Sequence, residues 1–187
     1  MLDMEKTESH TLSVLVDDEP GVLARVVGLF SGRGYNIESL TVSVVDKKKK
    51  TSRISVVTTG TPQVINLIQQ LLSRLIPVHK VEDLSNGTPH VERELALVKI
   101  VNKGDSRIEA LRIADSFRAR ILDSSLNSFV FEVTGATDKV SAFVDLMESL
   151  GKVEVARTGI CACNVASLTK PLGLLAGSYT FSSFVFG

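Results

Sequence analysis

The stretch from Asp17 to Phe30 constrains the fold of this chain most strongly. It follows the run Leu12–Val16, in which apolar and other residues alternate with the period-2 pattern of a half-buried strand. An acidic turn containing Pro20 and Gly21 comes next, and the apolar residues after it recur at helical spacing. The sequence therefore predicts a strand, a tight turn and an amphipathic helix in immediate succession.

This turn could bind an anion, because the first N–H groups of a helix have no partner within the helix. Gly21 lacks a Cβ, so a ligand could approach the main chain closely there. An ordinary strand-to-helix turn is the alternative. The carboxylates of Asp17, Asp18 and Glu19 could form an acid/base cluster, but capping and the helix dipole explain them more simply.

The rest of the first half completes a βαββαβ order over residues 11–84, after a mobile leader at residues 1–10. Thr61 and Pro62 open the second helix, and Pro77 follows it as a stop signal. The four lysines Lys47–Lys50 are interpreted as a solvated hairpin turn, with a basic patch for phosphate as the alternative. The order is that of the ferredoxin-like split βαβ fold, which leaves one sheet face and the sheet edges free for partners.

The same order recurs after a linker at residues 85–93, in which turn-favouring residues are concentrated. Residues 94–159 predict a second ferredoxin-like domain without sequence similarity to the first. Its helices are expected to be capped by Asp105 or Ser106 and by Thr137. The predicted fold class is therefore α+β, with two ferredoxin-like βαββαβ domains in tandem.

Residues 160–187 differ in character, because Lys170 is the one charged residue among them. Pro171 and the glycines interrupt the apolar run, so we expect a loosely ordered apolar tail and no membrane anchor. Cys161 and Cys163 form a Cys-x-Cys pair, but without a second pair they do not indicate a metal site. A shifted reading frame or a divergent natural extension would explain the tail.

Charge and motifs exclude several function classes. Lys plus Arg equals Asp plus Glu at 21 each, so no global basic field favours nucleic acid. The three histidines are far apart, and the chain lacks a Gly-x-Ser-x-Gly elbow and a Walker loop. The polar start has no signal-peptide core, which indicates a cytoplasmic protein. Two small modules without a catalytic set suit a sensor or a subunit better than an enzyme.

Several motifs point to a known family. The residues Glu19-Pro20-Gly21-Val22-Leu23 after the first strand resemble an ACT domain, an amino-acid-sensing module. The run Gly34-Tyr35-Asn36-Ile37-Glu38-Ser39-Leu40 closely resembles the small regulatory subunits of acetolactate synthase (acetohydroxyacid synthase). Two later runs agree with that family, His90–Ile100 and Val153–Gly159. The resemblance covers residues 11–159.

The resemblance implies a subunit without chemistry of its own. A large catalytic subunit would hold thiamine diphosphate, Mg²⁺ and FAD, with no cofactor in this chain, and would condense 2-oxo acids at the start of branched-chain amino-acid synthesis. The small subunit would stimulate it and confer feedback inhibition by valine. Residues 94–159 would contact the catalytic subunit. The alternative is a free-standing ACT-domain amino-acid sensor, such as a transcriptional co-regulator.

The resemblance also implies an effector site for valine between two ACT domains of a homodimer. One protomer would contribute the turn and the other the Asn36–Ile37 loop. Asp18 stands where some family members have Asn. The implied site residues are Asp18, Gly21, Val22, Leu23, Asn36 and Ile37.

Overall fold

A computed structural model describes residues 6–87 and 89–165 of the chain. The first half contains β1 (Glu8–Asp17), α1 (Val22–Ser31), β2 (Ser39–Asp46), β3 (Thr51–Gly60), α2 (Pro62–Ser73) and β4 (Val78–Asp83). The second half contains β5 (His90–Val101), α3 (Asp105–Ser116), β6 (Arg120–Ser124), β7 (Ser128–Gly135), α4 (Thr137–Leu150), β8 (Lys152–Arg157) and β9 (Cys161–Asn164). The predicted α+β class with two tandem ferredoxin-like units is confirmed.

Each unit has one antiparallel sheet in which its first and third strands are central. The strand orders are β2-β3-β1-β4 and β6-β7-β5-β8, and β9 pairs with β5 outside this order. In the first sheet Leu12 lies opposite Val56 and Val14 opposite Ile54. These apolar pairs face the helices, so this register keeps them in the core.

The two units have separate cores. In the first, Phe30 from α1 and Ile68 from α2 are fully buried against the sheet. In the second, the rings of Phe131 and Phe143 meet edge to face with centroids 6.1 Å apart, and both are fully buried. Buried aromatic pairs of this kind contribute about 0.5–1.5 kcal/mol beyond the area that they bury. Each half can therefore bury its own apolar residues.

The helix starts confirm one predicted cap and correct others. The Thr61 side chain accepts a hydrogen bond from the Val64 N–H at 3.4 Å, as predicted for the start of α2. The prediction for α3 was wrong, since Gly104 occupies the cap position without a side-chain bond. The prediction for α4 was also wrong, because Thr137 is already helical and Ala136 precedes it as the cap residue. In both cases the chain enters the helix one residue earlier than the polar side chains indicate.

Three predicted boundaries differ from the structure. Strand β1 begins at Glu8, inside the predicted leader at residues 1–10. Strand β5 begins at His90, inside the predicted linker at residues 85–93. Its first four residues pair with β9, which lies in the predicted tail at residues 160–187. Residues 1–5 and 166–187 lie outside the described residues, so the rest of the leader and tail predictions is untested.

The segment before β9 connects the second unit to the first sheet. The Ile160 N–H donates to Ser39 Oγ at 2.9 Å, and Thr41 Oγ1 donates to the Ile160 carbonyl at 2.7 Å. Ala162 is buried. These contacts lie on the sheet face opposite the helices, which we call the open face. The expectation that this face is free was therefore wrong in part, because the chain itself covers some of it.

Candidate functional site

The turn between β1 and α1 holds the candidate site, and Gly21 sets its shape. Gly21 has φ +86° and ψ −6°, in the left-handed region that favours glycine. A Cβ built on Gly21 would meet nothing within 4 Å. The backbone conformation therefore favours glycine here, and the space above the turn is open to a ligand.

The start of α1 has no side-chain cap, so the predicted capping role of Asp17, Asp18 and Glu19 was wrong. The Val22 N–H donates to the Glu19 carbonyl at 3.3 Å. The next two N–H groups of the helix, those of Leu23 and Ala24, lie in its first turn and have no acceptor within it. Such groups attract an anion, because they also lie at the positive end of the helix dipole.

The acidic side chains of the turn are held by the sheet. Ser52 Oγ donates to Asp18 Oδ1 at 3.0 Å, and the Asp18 N–H donates to the Lys50 carbonyl at 2.7 Å. Asp17 is paired with His79 at 2.7 Å and so is directed away from α1. Asp18 is exposed, and Ser52 holds its carboxylate at the turn that leads into the helix. The arrangement puts free N–H donors and a carboxylate in the same turn.

The apolar residues of the turn divide into core and surface. Val22 is buried in the first core, so only its backbone is available to a ligand. Leu23 is 42% exposed and Val27 is 37% exposed. Exposed apolar side chains beside unpaired polar groups suit a small ligand that has both a polar and an apolar part.

The Asn36–Ile37 loop lies between α1 and β2. Thr58 Oγ1, which is fully buried, donates to the Asn36 carbonyl at 2.6 Å. The Asn36 side chain is exposed, whereas Ile37 packs against the first core. The loop is thus fixed by its backbone and leaves the Asn36 amide available as both donor and acceptor.

A single chain does not bring the six predicted residues together. The turn is held by Ser52 and the Asn36 loop by Thr58, and both partners lie on β3. Six residues of a strand span about 20 Å at about 3.3 Å each. Asp18, Gly21, Val22 and Leu23 therefore form one group, and Asn36 and Ile37 form another at the far end of the sheet. Their role in binding stays a prediction.

Sequence reasoning missed the residues that support the site, Ser52 and Thr58. Both are polar residues in a strand that was predicted from its alternation, which could have marked them as inward-facing hydroxyls. The groups that these hydroxyls bind could be identified only from the strand register, which places Ser52 opposite Val16 of β1 and Val44 of β2. Within the described chain, no three His, Cys, Asp or Glu residues are grouped to hold a metal ion. No described helix is long and apolar enough to cross a membrane.

Comparison with known families gives matches to both units. Residues 12–80 match the family described as the AHAS small subunit-like ACT domain. Residues 93–165 match the family described as the small subunit of acetolactate synthase. The first match ends within β4 and the second begins within β5, so the gap between them contains the connection at which the structure changes from one sheet to the other.

Curated relatives and a solved structure agree with these matches. The chain is 47% identical over 150 residues to a probable acetolactate synthase small subunit of Archaeoglobus fulgidus, covering 80% of this chain and 92% of the relative. It is 43% identical over 150 residues to the acetolactate synthase isozyme 3 small subunit of Salmonella typhimurium, covering 80% and 91%. The crystal structure of the small subunit from Thermotoga maritima superposes with a TM-score of 0.76 at 36% identity, covering 84% of this chain and 97% of that one. Because both units and nearly the full length of these relatives are matched, the chain belongs to the acetolactate synthase small-subunit family.

Proposed function

We propose that this chain is the regulatory subunit of an acetolactate synthase, which stimulates a large catalytic subunit and makes it sensitive to valine. The observation that carries the proposal is the uncapped start of α1 next to the carboxylate of Asp18. A free amino acid carries one negative and one positive group on adjacent atoms. The N–H groups of Leu23 and Ala24 complement its carboxylate, and Asp18 complements its ammonium.

The apolar surface of the turn supports a branched aliphatic effector. Leu23 and Val27 are partly exposed on the side of α1 next to the free N–H groups. A valine side chain would cover part of this surface, and each buried methylene contributes about 0.8 kcal/mol. An effector with a charged side chain would lose this gain.

A homodimer would complete the site through strand β2. Strand β2 is an edge strand, and Val42, Val44 and Val45 on it are 44–48% exposed. Exposed apolar edge strands are prone to pair with another chain. We propose that two copies pair through β2 in antiparallel orientation.

The strand directions explain how such a dimer would join the two groups of site residues. The Asn36–Ile37 loop lies just before Ser39, where β2 begins. The turn with Asp18 lies at the other end, because the Asp18 N–H bonds Lys50 just after β2. Antiparallel pairing would therefore bring the loop of the second copy to the turn of the first.

In this proposed function the large subunit carries out catalysis. Thiamine diphosphate, Mg²⁺ and FAD would be bound there, and the second unit of this chain would contact that subunit, in the cytoplasm. A free-standing amino-acid sensor is the competing function, and it predicts activity without a large subunit.

The test is to mix the purified chain with a large subunit and assay acetolactate formation with and without valine. The proposal predicts stimulation without valine and inhibition with it. A chain that neither stimulates the large subunit nor makes it valine-sensitive would refute the proposal.

The matched variants Gly21→Asp and Gly21→Asn test the turn itself. Asn and Asp both tolerate the left-handed conformation of Gly21, and a Cβ there has open space. Only Asp adds a negative charge where the effector carboxylate would bind. We expect Gly21→Asp to weaken valine inhibition at least tenfold more than Gly21→Asn, with stimulation retained in both. Equal valine inhibition in the two variants would show that no anion binds at the turn.

A further inference from the structure

We propose that the outer flank of the second unit, formed by α3 and the edge strand β6, binds an apolar surface of the large subunit that ends in a carboxylate. This inference rests on the proposed function, because it names the surface through which the second unit would meet its catalytic partner. We call this surface the β6 flank. It consists of the apolar residues Ile108, Leu111, Ile121 and Leu122 and of a cationic cavity at the start of β6.

Four large apolar side chains of the second unit lie outside its core. Ile108, Ile121 and Leu122 are 51–58% exposed, and Leu111 is 36% exposed. None of the four is among the core residues of this unit or the partly buried residues packed against them. Single exposed apolar residues need no explanation, but a group of them marks an interaction surface.

The four side chains form a group because α3 and β6 lie side by side in opposite directions. A hydrogen bond of 3.4 Å from Arg107 Nη2 to Ser124 Oγ joins the first turn of α3 to the end of β6. Four residues of a helix advance about 6 Å, and two residues of a strand advance about 6.6 Å. Leu111 therefore lies level with Leu122, and the apolar residues of the helix and the strand are neighbours.

A bulge in β6 favours contacts through side chains. The register of β6 with β7 shifts between Ile121 and Asp123, so Leu122 is an extra residue with no counterpart on β7. Bulges redirect side chains and twist an edge strand, which hinders the regular addition of another strand. The β6 flank therefore suits a partner that packs against its side chains.

The cavity at the start of β6 has a surplus of positive charge. Its volume is about 390 Å³, and its charged lining residues are three cations and one carboxylate, Arg118, Arg120, Lys139 and Glu132. Glu132 lies 3.9 Å from Arg120, which marks a weak ion pair. The Lys139 ammonium donates to the Thr134 carbonyl at 3.0 Å, a neutral acceptor. The lining thus has a net charge of +2 and suits a carboxylate.

Arg118 is in a backbone conformation that disfavours a side chain. Its φ is 55°, in the left-handed region, directly after the end of α3. The Ala119 N–H donates to the Ala114 carbonyl at 2.8 Å, as in the Schellman motif, in which glycine is usual at the position of Arg118. An arginine there costs stability. Backbone strain of this kind is concentrated at functional sites, which supports a role for its charge.

The large subunit fits this surface better than a second copy does. In a two-fold contact the cavity would face either its own copy or the opposite end of the β6 flank. The first arrangement brings like charges together. The second places the cavity against the turn at residues 124–128, which contains no Asp or Glu. In both, the cations would lose water without gaining a carboxylate.

The test of the apolar part compares Leu122→Lys with Leu67→Lys in the full chain. Leu67 is similarly exposed but lies on α2 of the first unit. Binding to the purified large subunit is measured by titration with a fluorescently labelled chain. We expect Leu122→Lys to raise Kd about tenfold or more, because it places a charge in the apolar contact. Leu67→Lys should change Kd less than about twofold.

The test of the cavity uses Arg118→Gly, which separates binding from stability. Glycine suits the left-handed conformation, so the urea midpoint should stay the same or rise. The lost charge should raise Kd about fivefold and reduce its dependence on salt. Arg74→Gly removes an exposed arginine at the end of α2 in the first unit and should change Kd less than about twofold.

Several results would overturn the inference. Binding of Leu122→Lys as tight as that of the wild type would refute the apolar contact, and an unchanged Kd for Arg118→Gly would refute the carboxylate. A lower mass of Leu122→Lys than of the wild type in light scattering would make a second copy the occupant.

Two further outcomes are also decisive. If Leu122→Lys loses the circular dichroism spectrum of the wild type, Ile108→Lys on α3 replaces it, with the same expected rise in Kd. If the wild type does not bind a large subunit at all, the proposed function and this inference both fail. Wild-type binding that neither Leu122→Lys nor Arg118→Gly weakens refutes the role of the β6 flank alone.

Discussion

Gly159 connects the two units, and replacing it with alanine should weaken that connection by a calculable amount. Gly159 has φ +82°, and a Cβ on it would overlap the hydroxyl of Ser39. That hydroxyl accepts the hydrogen bond from the Ile160 N–H. The substitution therefore has two separate costs, one in the backbone and one at Ser39.

The two costs can be worked out from the geometry. An L-residue in the left-handed region costs about 1–2 kcal/mol. The Ser39 hydroxyl can rotate away from the new Cβ, but it then loses the bond to the Ile160 N–H, which is worth about 1 kcal/mol. We therefore expect Gly159→Ala to lower the free energy of unfolding by about 2–3 kcal/mol.

Two controls separate these costs. Gly87 has φ +72° and open space around it, so Gly87→Ala should cost only the backbone term of about 1–2 kcal/mol. Ser39→Ala should cost about 1 kcal/mol through the lost hydrogen bond. A double variant combines Gly159→Ala with Ser39→Ala. In it the new Cβ at position 159 lies 3.5 Å from the Cβ at position 39, which is an ordinary contact, so no further clash is added.

The double variant gives the decisive result. Since Gly159→Ala already breaks the Ser39 bond, adding Ser39→Ala should cost almost nothing more, and the two effects should fall short of additivity by about 1 kcal/mol. Urea unfolding of the four variants, followed by circular dichroism, measures this. Fully additive effects, or a Gly159→Ala effect equal to that of Gly87→Ala, would refute the reasoning.

Two other predictions concern the proposed site. Val44→Lys puts a charge on the exposed edge of β2 and should shift the chain from dimer to monomer in light scattering at micromolar concentration, whereas Leu67→Lys, at a similarly exposed position on α2, should not. A Val44→Lys dimer as tight as the wild type would exclude pairing through β2. Ser52→Ala removes the hydroxyl that holds Asp18 and should raise the valine concentration for half inhibition about fivefold, or about 1 kcal/mol, with stimulation unchanged. Valine inhibition as strong as in the wild type would show that the hydrogen bond from Ser52 is not needed to position the Asp18 carboxylate.

The sequence predicts well those elements that are determined by their own periodicity. Strand β8 has the predicted bounds, Lys152–Arg157, and the start of α2 at Thr61 and Pro62 is as expected. Strand β9 was missed because it has only four residues and is defined by pairing with residues some 70 positions earlier. No local pattern in Cys161–Asn164 indicates that pairing. The predicted boundaries of the tail and the linker were wrong for the same reason, because β9 and the start of β5 form only by pairing with each other.

The candidate site shows the same division between local and non-local information. The turn at Gly21 could be located from sequence because the strand, the glycine and the helix are adjacent in the chain. The hydroxyls of Ser52 and Thr58 could not be assigned, since their contacts depend on the register of β3 with both neighbouring strands. Nor could the sequence indicate that the two halves of the predicted site lie at opposite ends of one sheet.

Strand β2 joins the features that regulation would need to connect. Its first residue, Ser39, follows Ile37 by two positions and bonds the backbone at Ile160. From there the chain leads back through Thr158 to Arg157, which forms a two-pronged ion pair with the buried Glu94 of β5 and whose pKa that hydrogen bond raises. Coupling between distant sites can be carried by a rigid element that both sites contact. In this chain the start of β2 is such an element, because it touches the loop of the proposed effector site and the backbone of the second unit.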